Sequence, residues 1–173
     1  LWDMGLVVGH ASRTVHQNIA AAGQDITIRT SLLEMRRIAG ATSVSEQMLS
    51  TFKHWIANRP AGYFVEAKLD ERDKRHARFG GTRYAVEPNV KDGKGGLRDL
   101  HTLFWISKYA YRLDHIRGVL GAGILRTSEA RAFASSQRFL WTVRCFLHQH
   151  HGREDDRLAF DAQMQLAPLM GFA

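Results

Sequence analysis

The sequence predicts a mainly helical protein, and three observations carry that prediction. Apolar side chains recur at helical spacing in three long stretches, Val44 to Ile56, Leu97 to Ser107 and Phe133 to Leu147. Glycines stand where helix ends are expected, at Gly23, Gly40, Gly80-Gly81 and Gly152. The densest punctuation is Glu87-Pro88-Asn89-Val90-Lys91-Asp92-Gly93-Lys94-Gly95-Gly96-Leu97-Arg98-Asp99-Leu100, which leads three glycines and two lysines straight into an apolar helical pattern. The rest of the chain is organised around that stretch.

Taken in order, Leu6-Val7-Val8 reads as a short inner strand running into the polar Gly9-His10-Ala11-Ser12-Arg13-Thr14. Val15 to Ala22 is alanine-rich and helical, with Gly23 as its C-cap. Asp25 to Thr30 suggests a brief extended piece, after which Ser31 and Glu34 have capping-box spacing for a helix through Ala39, stopped by Gly40. Arg36 and Arg37 then sit in its last turn, where cations suit the dipole. Thr42-Ser43 starts an amphipathic helix lined by Val44, Met48, Phe52, Trp55 and Ile56.

Pro60 suits the first turn of the next helix, Ala61 to Phe79, where Asp70 with Lys74 and Glu71 with Arg75 are spaced for i,i+4 pairs on a solvated face. Thr82 to Val86 reads as extended, and Pro88 bars any helix before the glycine loop. The helix from Leu97 is apolar nearly all round, as a central buried helix would be. Gly118, Gly121 and Gly123 mark loose structure after it. Ser128 starts a long helix up to Gly152, with Phe133, Leu140, Val143 and Leu147 on one face and Phe139 and Phe146 widening it. A last segment from Asp161 carries Leu166 and Leu169 and is interrupted by Pro168.

At 173 residues the chain fits one domain, or one domain with a fragment of another. It opens on Leu1 and closes on an apolar Met170-Gly171-Phe172-Ala173, as a piece cut from a longer protein would. The net charge of +7 permits nucleic-acid or phosphate ligands, but 12 Lys/Arg against 8 Asp/Glu up to Val86 and 12 against 9 afterwards is a spread charge without a basic block. Nucleic-acid binding is therefore not expected. No run of about 18 apolar residues and no signal peptide is visible, so a cytoplasmic chain without a membrane span is expected. A single cysteine, Cys145 in an apolar helical pattern, excludes an internal disulfide framework and reads as a small buried side chain.

The chemistry open to the glycine loop divides two ways. Free N–H groups and the positive end of a helix dipole favour a phosphate, with Lys91, Lys94 and Arg98 nearby. Equally, the glycines make a tight turn that packs a buried helix, with Arg98 and Asp99 paired to neighbours. The spacing matches neither a Walker loop nor a dinucleotide fingerprint. His148, His150 and His151 invite a metal reading, but no carboxylate stands at His-Glu-x-x-His positions, so no metal ligand is assigned.

The run Arg75-His76-Ala77-Arg78-Phe79-Gly80-Gly81-Thr82, with Tyr84 through Lys91 and Gly95 through Leu100, resembles the bacterial PII uridylyltransferase/uridylyl-removing family. Leu1 to His10 with Arg13-Thr14, Asp25-Ile26-Thr27 to Leu32-Leu33-Glu34, and Phe139-Leu140-Trp141 with Arg144, Gly152-Arg153, Asp156-Arg157-Leu158 and Phe160-Asp161 resemble it in the same order. Ala11 stands where the family suggests serine, and Lys94 where proline is usual.

That resemblance implies that residues 1–40 are the C-terminal remnant of a polymerase-β-type nucleotidyltransferase α/β domain. Residues 41–173 would then be a helical-bundle linker preceding a phosphohydrolase domain. It implies transfer of UMP from UTP to a tyrosine of the PII signal protein, with Mg²⁺, hydrolytic removal elsewhere and glutamine as effector. The chain holds no Gly-Ser dipeptide and no Asp-x-Asp triplet, so the main Mg²⁺ ligands are expected outside it. Asp25 is then a candidate third catalytic carboxylate, or the cap of a turn after Gly23. His10 and Arg13 are candidates for the triphosphate, and Glu87, Lys91, Gly95, Gly96, Arg98 and Asp99 for UTP or PII. The rivals are the related glutamine synthetase adenylyltransferase and a basic helical binding module without catalysis.

Overall fold

The computed structural model describes residues 5, 8–113, 118–119 and 123–172. These are mainly helical, as the periodicity predicts, and among them no strand ladder forms. Leu6 and Val7 of the expected first strand lie outside the described residues, as do residues 1–4 and Gly121, while Val8, Gly9 and His10 adopt no regular element. The chain divides into two compact units, Leu1–Arg59 and Pro60–Ala173. The sequence places the boundary after residue 40 instead. Helix Thr42–Ala57 belongs with the first unit because it packs on the first helix.

The first unit holds α1 (Val15–Gln24), α2 (Ile26–Leu33) and α3 (Thr42–Ala57). Thr14 opens α1 with a capping box: its Oγ1 accepts from Gln17 N at 3.2 Å and its N–H donates to the Gln17 side chain at 2.8 Å. The extended piece expected over Asp25 to Thr30 is instead the start of α2, and no helix runs from Ser31 to Ala39. Local hydrogen bonding decides this. Asp25 Oδ1 accepts from Thr27 N at 2.7 Å, and the Thr30 and Ser31 hydroxyls donate to the carbonyls four residues back, at 2.7 and 2.9 Å. Arg29, buried in this unit, donates from Nε to Ala22 O at 2.8 Å and from Nη2 to Gly23 O at 3.2 Å, closing the C-terminal end of α1. Its guanidinium also lies over the Trp55 ring, 5.2 Å from the centroid. Met48, Phe52 and Ile56 of α3 are buried at the predicted spacing.

The second unit holds α4 (Gly62–Arg78), α5 (Leu97–Tyr111), α6 (Thr127–His151) and α7 (Phe160–Leu169). Helix α5 packs on α4 and on α6, and α6 packs on α7. Phe64 of α4 stacks on Tyr109 of α5 with centroids 4.2 Å apart, and both are essentially inaccessible. The expected all-round burial of α5 is incomplete: Thr102 and Ser107 are buried while Leu103 and Tyr111 are exposed. The hydroxyls enter the core because each donates within its own helix, to Arg98 O and Leu103 O. Cys145 is exposed on α6, contrary to the expectation of burial, because Val143 and Leu147 take the inward face. Val143, Leu147, Ala162 and Leu166 form a core with Val90, which reaches it from the glycine loop.

Candidate functional site

Residues Pro88 to Gly96 form a closed loop whose shape is set by its own backbone. Asn89 Oδ1 accepts from Lys91 N at 3.1 Å and Asp92 N at 2.6 Å, an Asx turn that starts the reversal. Gly93 N then donates to Asn89 O, and Gly96 N to Gly93 O. The backbone crowds the glycines. A Cβ on Gly93 would stand 2.5 Å from Asn89 O, and one on Gly96 would stand 2.9 Å from the carbonyl oxygens of Val90, Lys91 and Gly93. Gly95 meets nothing within 4 Å but has φ of +84°, a conformation that favours glycine.

The start of α5 is satisfied by this loop. Leu97 N donates to Val90 O at 2.9 Å, Arg98 N to Lys91 O at 2.8 Å and Asp99 N to Gly96 O at 3.0 Å. The N–H groups that would face an anion at an open helix start are thus engaged with carbonyls. The loop's other edge pairs with the α6–α7 corner through an antiparallel bridge between Asn89 and Arg157, with Val90 N to Asp156 O at 2.8 Å and Leu158 N to Pro88 O at 2.9 Å.

Charges fasten the loop to the α6–α7 corner and tie the start of α5 to α4. Asp99 accepts from Gly95 N at 2.8 Å and from Arg75 at 2.6 Å, and His76 Nε2 lies 2.9 Å from both its oxygens. Burial alone would raise the Asp99 carboxyl, but these donors outweigh it and hold it below the usual carboxylate range. Asp156, 9% exposed, accepts from Arg144 Nε at 2.6 Å, with His148 Nε2 at 3.2 Å and Lys91 Nζ at 3.4 Å. Its carboxyl is likewise pushed up by burial and pulled further down by the Arg144 and His148 hydrogen bonds and by the charges of Arg144 and Lys91. Lys91 Nζ also donates to Glu154 at 2.8 Å, which raises its pKa. Arg98 meets Asp92 at 3.5 Å. Glu87 binds the Phe160 N–H at the start of α7 at 3.0 Å and Arg157 at 2.5 Å, and those bonds lower its pKa.

Glu87, Lys91, Gly95, Gly96, Arg98 and Asp99 therefore gather on the glycine loop and its two flanks, Glu87 just before it and Arg98 and Asp99 in the first turn of α5, each committed to neighbours within the second unit. Asp25 caps α2, with Thr27 N–H the main cause of its lowered pKa and Arg13 adding to it. Arg13 and His10 are exposed on the irregular segment before α1. His148 and His151 lie against Asp156 and Asp155. Sequence reasoning missed Arg144, Glu154, Asp156 and Arg157 as partners of the loop. The charge-dense run Arg153-Glu154-Asp155-Asp156-Arg157 after a helix-ending glycine was the available signal.

A family profile described as GlnD PII-uridylyltransferase matches residues 63–173, which include the whole loop and both of its anchors. The chain belongs to that family. It is 51% identical over 172 residues to a bifunctional uridylyltransferase/uridylyl-removing enzyme of Nitrobacter hamburgensis, covering 99% of this chain and 18% of the relative. Proteins of the same description from Nitrobacter winogradskyi and Azospirillum brasilense are 49% and 47% identical over 172 residues, with 19% and 18% of their lengths covered. The chain thus spans about a fifth of the curated relatives it matches. No solved structure matches it significantly. Among the described residues no helix is long and apolar enough to cross a membrane.

Proposed function

We propose that this chain is the helical segment of a cytoplasmic bifunctional enzyme that transfers UMP from UTP to a tyrosine of the PII protein and removes it again, in response to glutamine. Family membership, with half-identity to the named enzymes across nearly the whole chain, is the observation that carries this reading. Residues before α1 belong, in this proposal, to the trailing edge of the nucleotidyltransferase domain. His10 and Arg13 there face the nucleotide, while Asp25 serves α2 as its cap. Among the described residues no three His, Cys, Asp or Glu side chains converge as metal donors, and the proposal assigns the Mg²⁺ ligands to residues outside them. Glu87, Lys91, Arg98 and Asp99 act by holding three helices in register, so that any surface they present to PII is rigid.

The test replaces the matched segment of the Nitrobacter hamburgensis enzyme with this chain. UMP transfer to PII within about tenfold of the parent is expected, a barrier change of about 1.4 kcal/mol at most. In that chimera Arg13→Ala raises KM for UTP with little change in kcat, and Asp25→Ala lowers thermal stability without a selective loss of kcat. A chimera that folds but transfers no UMP would overturn the assignment. A large kcat loss in Asp25→Ala at unchanged stability would return Asp25 to catalysis.

A further inference from the structure

Beside the glycine loop a pocket of about 340 Å³ is lined by the segment from Phe79 to Glu87, the loop itself and Arg157. It carries Arg83, Lys94 and Arg157. The charges there are balanced differently from those elsewhere on the loop. Lys91, Arg98, Arg144 and Arg75 each meet a carboxylate. Among the described residues Arg83 meets none, and Lys94 Nζ makes one hydrogen bond, at 3.2 Å, to the neutral carbonyl of Gly81. Arg157 gives one nitrogen to Glu87, the one acid among the described residues that line the pocket. Three cations against one carboxylate leave two positive charges in a small concave space.

Residues with neutral donors, Thr82 and Asn89, line the same space. Asn89 spends its Oδ1 on Lys91 N and Asp92 N, and its Nδ2 makes no bond to the described residues. The Thr82 oxygen accepts from Tyr84 N at 3.0 Å, which leaves its hydroxyl hydrogen free to donate. Phe79 and Pro88 supply apolar wall. Such a mixture of apolar wall and a few convergent donors is what a small-ligand site presents, and the volume lies at the lower end for one.

We propose that this pocket binds a phosphate-bearing small molecule, with the phosphate dianion held by Arg83, Lys94 and Arg157. A dianion neutralises the two surplus charges, whereas a monocarboxylate leaves one uncompensated. The guanidinium forks give paired donors to phosphate oxygens, and Lys94 adds a point charge. The site does not rest on the uridylyl-transfer reading, since it follows from the residues of this chain alone.

The test is a titration of the full chain followed by the amide chemical shifts of Gly81, Arg83, Gly93 and Lys94 at constant ionic strength. Inorganic phosphate is expected to shift all four saturably, with Kd on the order of 1 mM. Arg83→Gln and Lys94→Gln, both of exposed side chains, should each weaken binding at least several-fold while leaving the amides of Val143 and Leu147 unmoved. Acetate should bind far more weakly. Glycerol phosphate and UMP identify the source: an ester that binds more tightly than phosphate makes the ligand an organic phosphate, and equal binding makes it the free ion. No saturable shift by about 20 mM phosphate, binding unchanged in the double variant, or acetate as effective as phosphate would each overturn the proposal. The chimera's UMP transfer is read separately, so failure of either result leaves the other interpretable.

Discussion

At the scale of single residues, the second unit depends on two carboxylates that serve several donors each. Asp156 joins Arg144, His148 and Lys91, so Asp156→Asn leaves cations facing one another in a half-buried space and is expected to cost about 2 kcal/mol. Urea unfolding would show it as a lower midpoint at unchanged slope. Both Asp99 and Asp156 titrate below their ordinary value of 3.8. Between the folded and ordinary values the unfolded chain binds more protons than the folded one, so falling pH favours unfolding. Their contribution is complete above about pH 5 and is lost progressively below about pH 4. Melting temperatures measured across that range should therefore fall more steeply for the unaltered chain than for Asp156→Asn. The glycines offer a sharper contrast. Gly96→Ala drives a methyl into three carbonyl oxygens and is expected to cost about 3 kcal/mol, while Gly95→Ala costs about 1 kcal/mol for its left-handed backbone. Equal losses at the two positions would show that crowding does not set the loop.

At the scale of elements, the main departure from expectation is α2. A β-branched run, Ile26-Thr27-Ile28, suggests extended chain, yet Asp25 at the N-cap and the back-bonding hydroxyls of Thr30 and Ser31 turn it into helix. Asp25→Ala should destabilise the first unit and lower amide-exchange protection in α2 before α3. The glycine loop behaves as an element too. It supplies Val90 to the α6–α7 core, carbonyls to the start of α5 and a bridging edge to the α6–α7 corner. Lys91→Ala removes one exposed and one half-buried ion pair and is expected to cost only about 1 kcal/mol.

At the scale of the whole molecule, helix positions were legible because amphipathic spacing and glycine punctuation are local signals. Met48, Phe52 and Ile56, and Val143 with Leu147, bury as the pattern requires, while Val44 at the start of its stripe stays exposed. What the sequence did not disclose is long-range pairing: nothing local links Glu87 to Arg157 or Lys91 to Asp156. For that reason the loop's phosphate and packing readings could not be separated from spacing alone, whereas the engaged N–H groups of Leu97, Arg98 and Asp99 favour packing. Family resemblance was legible because it rests on residue order along the chain. The isolated chain, supplied with UTP, Mg²⁺ and PII, is expected to transfer no UMP, and measurable labelling of PII would place the catalytic residues within it.

The partners of the glycine loop lie far along the chain, with Lys91 and Glu154 separated by 63 residues, Glu87 and Arg157 by 70, and Val86 and Gln163 by 77. On a ribosome, that stretch takes roughly 3 to 15 s to synthesise. During that interval α4 and α5 can already meet and the loop's own turns can form, but Val90 and Lys91 lack their partners at the α6–α7 corner. The outer edge of the glycine loop is thus a late-setting joint, and a nascent chain halted before residue 154 would carry that edge unpaired, exposing Val90 and a Lys91 without its carboxylates to whatever binds incomplete proteins.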